Sequence, residues 1–244
     1  MLLALDTSTL HLSLALVERR GDDVSVVEHK VVSPPEKQSE ALPGVVGDML
    51  ARHGMKLEAL EGLAVGLGPG SFTGLRIGLA TVKALAYAVR LKVAGASSLA
   101  AVAMEGPEGP PLYCLAVARK DDLYLGQYRR RGKTLEALAP ETAMSPEEVA
   151  AKLAAEPEAV ALGPALGDYR AALVKAGVAE ARLLQGPAFP SAVEIARLAR
   201  LPQEQSLQEL FALEPHYVRA SEPERNPKFP PLPGPTPTAR LKDD

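Results

Sequence analysis

Two apolar runs open the chain, Leu2-Leu3-Ala4-Leu5 and Leu12-Ser13-Leu14-Ala15-Leu16-Val17. Read as strands over 2–8 and 11–18, they are separated by Thr9 and Leu10 alone, which dictates a tight antiparallel hairpin. The acidic turn Gly21-Asp22-Asp23 leads into a third strand over 24–33. After this meander the pattern changes. Leu42, Val45, Val46, Met49 and Leu50 repeat at helical spacing, which predicts a helix over 39–53, begun by Ser39 or Glu40, with Pro43 near its first turn and Gly54 at its end. A buried strand follows over 62–67, then the glycine-rich turn 68–71, a long helix over 72–90, a short strand over 92–95 and a helix from Ser97 or Ser98 to Met104.

The stretch Glu105-Gly106-Pro107-Glu108-Gly109-Pro110-Pro111 breaks the chain, and the pattern then restarts. Strands are expected over 112–118, 123–130, 159–163 and 182–184, and helices over 145–155, 167–176 and 190–201. Strands first, then alternating helices and strands, predict an α/β fold whose mixed sheets are flanked by helices. The divisions are a lobe over 1–105, a second over 106–215 and a tail over 216–244. Seven prolines, Pro223, Pro227, Pro230, Pro231, Pro233, Pro235 and Pro237, predict an extended tail.

Bulk properties narrow the function. A net charge of −3 and a pI near 5.9 lack the basic surplus of a free-standing nucleic-acid binder. Cys114 is the single cysteine, so no intrachain disulfide forms, and its apolar neighbours read as core. The N-terminus has no basic region, and Asp6 interrupts its apolar run, unlike a signal peptide. No uncharged stretch reads as a membrane span, so a cytoplasmic protein is expected. One asparagine, no tryptophan and many prolines are the composition of a heat-resistant protein.

Three segments carry candidate chemistry. Asp6, Thr7, Ser8 and Thr9 occupy the first hairpin turn. Its backbone N–H groups and hydroxyls form either a phosphate cradle, with Asp6 beside it for a hydrated Mg²⁺, or a turn that satisfies its own backbone. Gly68, Gly70 and Ser71 lie in Gly68-Pro69-Gly70-Ser71-Phe72-Thr73-Gly74, where Ser71 can cap the next helix. That turn is either an anion site at a helix N-terminus or a tight strand-to-helix connection; it lacks the Gly-Lys-Ser/Thr of a Walker loop. Along the helix, Gly74, Gly78, Ala80, Ala84 and Ala88 form a stripe of small residues, and Leu75, Leu79, Val82, Ala86 and Val89 form an apolar one. One stripe can face the sheet and the other a partner helix, or both can be buried within the lobe. Leu42, Val46 and Met49 of the preceding helix join the candidate partner surface.

The four histidines, His11, His29, His53 and His216, offer no His-Glu-x-x-His pair, and no Gly-x-Ser-x-Gly elbow is present. No catalytic residue, metal ligand or cofactor is assigned. The basic runs Arg119-Lys120 and Arg129-Arg130-Arg131 with Lys133 read as solvated strand ends.

Leu3-Ala4-Leu5-Asp6-Thr7-Ser8-Thr9, followed by Gly68-Pro69-Gly70-Ser71-Phe72-Thr73-Gly74-Leu75-Arg76-Ile77-Gly78, resembles the bacterial TsaB (YeaZ-type) family. Ser39-Glu40-Ala41-Leu42-Pro43 and Gly95-Ala96-Ser97-Ser98-Leu99 are similar to further family segments, and the likeness is dense over about residues 2–105. The resemblance implies an actin-like ATPase (ribonuclease H-like) fold of two related lobes. It implies a non-catalytic partner in forming N6-threonylcarbamoyladenosine in tRNA. It further implies pairing through the N-terminal helices with a metal-bearing paralogue, TsaD, joined by a small P-loop ATPase, TsaE. Contact with tRNA is implied only within that complex, self-association is a family habit, and no membrane is involved. Two departures stand out. Ser8 occupies a position where actin-like phosphate loops carry glycine, and Val117-Ala118-Arg119 stands where relatives often have Asp-Ala-Arg. The competing expectations are an independent actin-like phosphotransferase using Asp6 and the Gly68–Ser71 loop, and a peptidase, after an older label of the related family.

Overall fold

The computed structural model describes residues 1–21, 23–34, 38–119 and 122–218, without the side chains of 38–41. The proline-rich tail beyond 218 lies outside the described residues, as do Asp22 and Lys120. The meander forms as the sequence dictates: β1 (Leu2–Asp6), β2 (Leu12–Arg20) and β3 (Asp23–Val32) pair antiparallel. Next come α1 (Gln38–Arg52), β4 (Gly62–Gly66), α2 (Phe72–Val89) and β5 (Lys92–Ala96). Strands β4 and β5 are parallel to β1, giving the order β3-β2-β1-β4-β5.

Period-two alternation sorts this sheet into two faces. Leu3, Leu5, Leu14, Leu16, Leu63 and Val65 pack under α1 and α2. Leu2, Ala4, Ala15, Val17, Ala64 and Ala94 meet α6 (Ala192–Leu198) on the other side. The runs are continuously apolar because both faces are covered. Small residues dominate the α6 side, so that helix can lie close to the strands.

A connecting helix, α3 (Ser98–Met104), leads to β6 (Pro111–Arg119), β7 (Asp122–Arg131) and β8 (Thr134–Met144). Then follow α4 (Pro146–Ala155), β9 (Val160–Leu162) and α5 (Leu166–Lys175). The second sheet has the order β8-β7-β6-β9, with two antiparallel pairs and β9 parallel to β6. It repeats the first four strands of the first sheet. Tyr113 and Leu115 face α4 and α5, while Leu112 and Cys114 face α3. Cys114 is fully buried, and burial raises its thiol well above the ordinary value.

The division at residue 215 needs correction. Residues 192–212 lie against the first lobe: α6 covers the far face of its sheet, and Leu210 of α7 (Leu207–Ala212) enters the core beneath α1 and α2. Their apolar residues find their uncovered partners there. The strand expected over 182–184 is a 3-10 turn, Glu180–Arg182, with a single bridge from Leu183 to Ala161. By length and composition α2 suffices to cross a membrane, contrary to the expectation of no such segment, but its inner residues Leu75, Leu79, Val82 and Ala86 are buried against the sheet.

Candidate functional site

The turn after β1 and the turn before α2 meet at the end of the first sheet. Asp6 is 1% exposed, and its carboxylate is held from three sides. The Ser8 N–H donates to Oδ1 at 2.9 Å and the Ser8 hydroxyl at 2.6 Å, while the Ser98 hydroxyl donates to Oδ2 at 2.6 Å. Burial pushes the Asp6 carboxyl up from its ordinary value, and the bonds from Ser8 and Ser98 pull it back. Ser98 also accepts from the Gly68 N–H at 3.1 Å, and its own N–H returns to the Gly68 carbonyl at 2.8 Å.

The glycine turn closes on the hairpin turn directly. The Ser71 N–H donates to the Ser8 carbonyl at 2.7 Å, and the Thr7 hydroxyl to the Gly74 carbonyl at 2.8 Å. Such contact requires missing side chains. A Cβ on Gly70 would lie 2.3 Å from the Ser8 carbonyl oxygen, and one on Gly74 would lie 2.0 Å from that of Thr7. Ser71 caps α2 by accepting from the Gly74 N–H at 3.2 Å, as its place in the sequence predicts. Thr9 accepts from the His11 N–H at 3.2 Å. Of the two readings open for each turn, these bonds correspond to the hairpin satisfying its own backbone and the glycines making a close connection. Asp6, Thr7, Ser8, Gly68, Gly70 and Ser71 thus come together, and the bonds of Ser8, Thr7, Gly68 and Ser71 run between the two turns and Ser98, while the Thr9 hydroxyl bonds with His11 at the edge of the hairpin.

A second cluster ties the lobes. Glu141 of β8, its side chain 7% exposed, accepts from the Ser97 hydroxyl ahead of α3 and from the Tyr128 hydroxyl of β7. His216 Nδ1 lies 2.8 Å from its other oxygen. The His216 N–H donates to the Leu67 carbonyl at 2.7 Å, which pins the C-terminal segment beside the glycine turn. Burial first, then the Glu141 charge, raises the Tyr128 hydroxyl, so it stays protonated as the donor. The other histidines are dispersed: His11 meets Ser33, His29 meets Ser13, and His53 pairs with Glu28 at 2.8 Å. Among the described residues, no three His, Cys, Asp or Glu side chains gather as a metal site.

The candidate partner surface divides. Leu42, Val46 and Met49 are 0–3% exposed within the chain's own core, so they present nothing to a partner; this corrects their assignment. Gly74 and Gly78 face Thr7 rather than outward. Ala80, Ala84 and Ala88 are exposed on the outer face of α2. The sequence reading missed the neighbours that complete that face. Phe72 is stacked by the Arg76 guanidinium at 3.7 Å, and Tyr217 lies beside Phe72 with ring centroids 5.2 Å apart. On α1, Gly44 and Gly47 point into open space. One signal in the sequence was available: Phe72 and Arg76 stand one helical turn apart, at the edge of the stripe formed by Leu75 and Leu79.

A sheet ordered 3-2-1-4-5 and a second lobe repeating its first four strands define the actin-like, ribonuclease H-like fold. A family model described as TsaD, tRNA N6-adenosine threonylcarbamoyltransferase, matches residues 32–224. A solved protein from Pseudomonas aeruginosa with similarity to peptidase YEAZ superposes with a TM-score of 0.66 at 26% identity, covering 89% of this chain and 99% of that one. YeaZ from the same organism gives 0.60 at 30% identity, covering 81% and 89%. The tRNA threonylcarbamoyladenosine biosynthesis protein TsaB of Escherichia coli is 36% identical over 132 residues, 53% of this chain and 55% of the relative. That of Bacillus subtilis is 30% identical over 141 residues, 57% and 60%. The chain therefore belongs to the TsaB (YeaZ-type) family within the wider TsaD-like group. The matched stretch spans little more than half the length of these curated relatives.

Proposed function

We propose that this chain is the partner subunit of a tRNA N6-threonylcarbamoyladenosine-forming assembly, pairing with a TsaD-like paralogue that carries the chemistry. The observation that supports this most is the inward turn of the Asp6–Ser8–Ser98–Gly68 network, whose donors and carboxylate are engaged with one another. The outward face of α2, by contrast, is small, apolar and exposed around Ala80, Ala84 and Ala88. Flat helix faces of this kind admit a second helix closely. The names of the curated relatives supply the pathway. The proposal includes a cytoplasmic setting, a TsaE-like ATPase, tRNA contact only in the assembly, and self-association when the paralogue is absent. Heat resistance belongs to it on composition.

The test is reconstitution. With the TsaD-like and TsaE-like subunits, tRNA modification should require this chain, and the chain alone should show no turnover. Ala84→Glu places a charge in the middle of the proposed seam and should abolish co-purification with the paralogue while leaving thermal unfolding unchanged. Full modification without the chain would refute the role; normal binding by the Glu variant would refute the interface. Tight ATP–Mg²⁺ binding lost in Asp6→Ala would instead favour the independent phosphotransferase.

A further inference from the structure

Strand β8 carries an irregularity that re-aims one side chain. Thr142 pairs with Leu125 and Ala139 with Gln127, so Pro140 and Glu141 together stand opposite Gly126. A bulge of this kind bends an edge strand and breaks the regular alternation of its side chains. Glu141 reaches Tyr128 of β7 and Ser97 ahead of α3, with its side chain only 7% exposed. Its two oxygens are served unequally. Oε1 accepts from both the Ser97 and the Tyr128 hydroxyl. Oε2 is buried and accepts no hydrogen bond. His216 Nδ1 stands 2.8 Å from Oε2, close enough for an ion pair when the imidazole is protonated, but without the alignment of a hydrogen bond. The next residue repeats the deficit: Thr142 Oγ1 is buried and has no hydrogen-bond partner. Buried polar atoms without partners are uncommon in native proteins, and each calls for a donor from outside the fold's own bonds.

Both residues line a pocket of about 320 Å³ beside β8, the edge strand of the second sheet. Asp122, Glu148 and Val218 line it too, and no lining residue is basic. Asp122 pairs with Arg119 at 3.0 Å, and Glu148 accepts from the Ser145 N–H at 2.8 Å in the cap of α4. Among the described residues, His216 is the one cation-capable group in ion-pair contact with Glu141. A carboxylate this deeply placed is costly unless its charge is answered and its lone pairs are filled.

The chemistry of the pocket selects its ligand. Carboxylates on several sides repel an anion. Among the described residues no three His, Cys, Asp or Glu side chains gather, so a bare metal ion would lack ligands. Water brings donors but no charge. A guanidinium brings both: it is planar, always charged, presents five N–H donors in a fixed fork, and is more weakly hydrated than an ammonium. We propose that this pocket binds a guanidinium group, with Glu141 Oε2 and Thr142 Oγ1 as its buried acceptors and Asp122 beside them. The sequence names one source of that group, Arg219, which directly follows the lining residue Val218. The other source is a separate small molecule bearing the same cation. The site is independent of the partner role proposed above.

The test titrates methylguanidinium into the full chain and into Arg219→Ala by calorimetry, with N-methylurea as the uncharged counterpart and sodium chloride matching the ionic strength. Thermal unfolding is run on each variant. Arg219→Ala should bind methylguanidinium saturably and N-methylurea not at all. If Arg219 is the natural occupant, the unaltered chain binds the probe at least about tenfold more weakly than Arg219→Ala; if a separate molecule is, the two bind alike. In the Arg219→Ala background, Glu141→Gln keeps an acceptor for Ser97 and Tyr128 but loses the charge, and should weaken binding by about 30-fold. Thr142→Val keeps the shape and removes the hydroxyl, and should weaken it by about fivefold. Glu61→Gln, on the first lobe beside the N-terminus, should leave it unchanged. The site is overturned if neither chain binds the probe saturably, or if N-methylurea binds equally well. Full affinity in Glu141→Gln, or in Thr142→Val should the first variant fail to fold, overturns it too.

Discussion

Gly74 shows what a single atom decides here. Its absent side chain lets α2 begin 2.8 Å from the Thr7 hydroxyl, where a Cβ would strike the Thr7 carbonyl. The atom struck is the backbone carbonyl of Thr7, so the strain cannot be relieved by a rotamer change. Gly74→Ala should lower unfolding free energy by about 3 kcal/mol in a denaturant titration. Glu105 is a second decisive residue, placed at the C-terminal end of α3. Burial, then the charge of Glu194, pushes its carboxyl up to about 7. A carboxyl raised on folding holds its proton more tightly in the native chain. That contribution is complete below the ordinary value of 4.5 and is lost as pH rises through about 7. Glu105→Gln should therefore stabilise the protein above about pH 7 and leave it unchanged near about pH 4; partial exposure holds the gain to about 1 kcal/mol. At this scale the sequence revealed Ser71 as a cap and Cys114 as core. It did not reveal Ser98 as the donor to Asp6, because 92 residues separate them and only the fold joins them.

Among elements, legibility followed burial. Strands β1, β2 and β4 have long apolar runs and were placed within two residues. Strand β8 was missed. It is an edge strand, half-exposed along most of its length, with Pro140 in its interior, so neither alternation nor propensity marks it. Pro43 was expected in the first turn of its helix and lies farther inside, since α1 starts at Gln38. The helix expected over 190–201 spans only Ala192–Leu198, because Ala199 turns to an extended conformation. Helix α7 was overlooked because six residues carry too little periodicity. Its signal was local: Ser206 and Glu209 form a capping box, with the Glu209 N–H 3.2 Å from the Ser206 hydroxyl. Ser206→Ala should destabilise this helix by about 1 kcal/mol. The loss should appear as faster amide exchange over 207–212, because Leu210 is the residue that anchors it to the core.

Across the whole molecule, the restart after residue 105 suggested two α/β lobes and the family resemblance implied that they are related, but the repeated strand order and the return of the chain to the first sheet were not read. Helices α3 and α6 lie between the sheets: α3 packs on β6 and β7, α6 on β1 and β2, and the two touch each other. The C-terminal segment adds a third link through His216, Glu141, Ser97 and Tyr128. Two sheets joined by shared helices and a buried carboxylate should unfold as one unit, with fluorescence and circular dichroism giving coincident transitions. Glu141→Ala tests the polar part of that link. It leaves the Ser97 and Tyr128 hydroxyls without their acceptor in a partly buried junction, at a cost of about 2–4 kcal/mol. Because α3 and α6 still hold the lobes, the transition should shift to lower denaturant and remain single. Release of His216 should also expose residues 211–217 to limited proteolysis near Leu213, ahead of global unfolding. If the two probes separated in the variant, the carboxylate cluster rather than the shared helices would be the principal tie between the lobes.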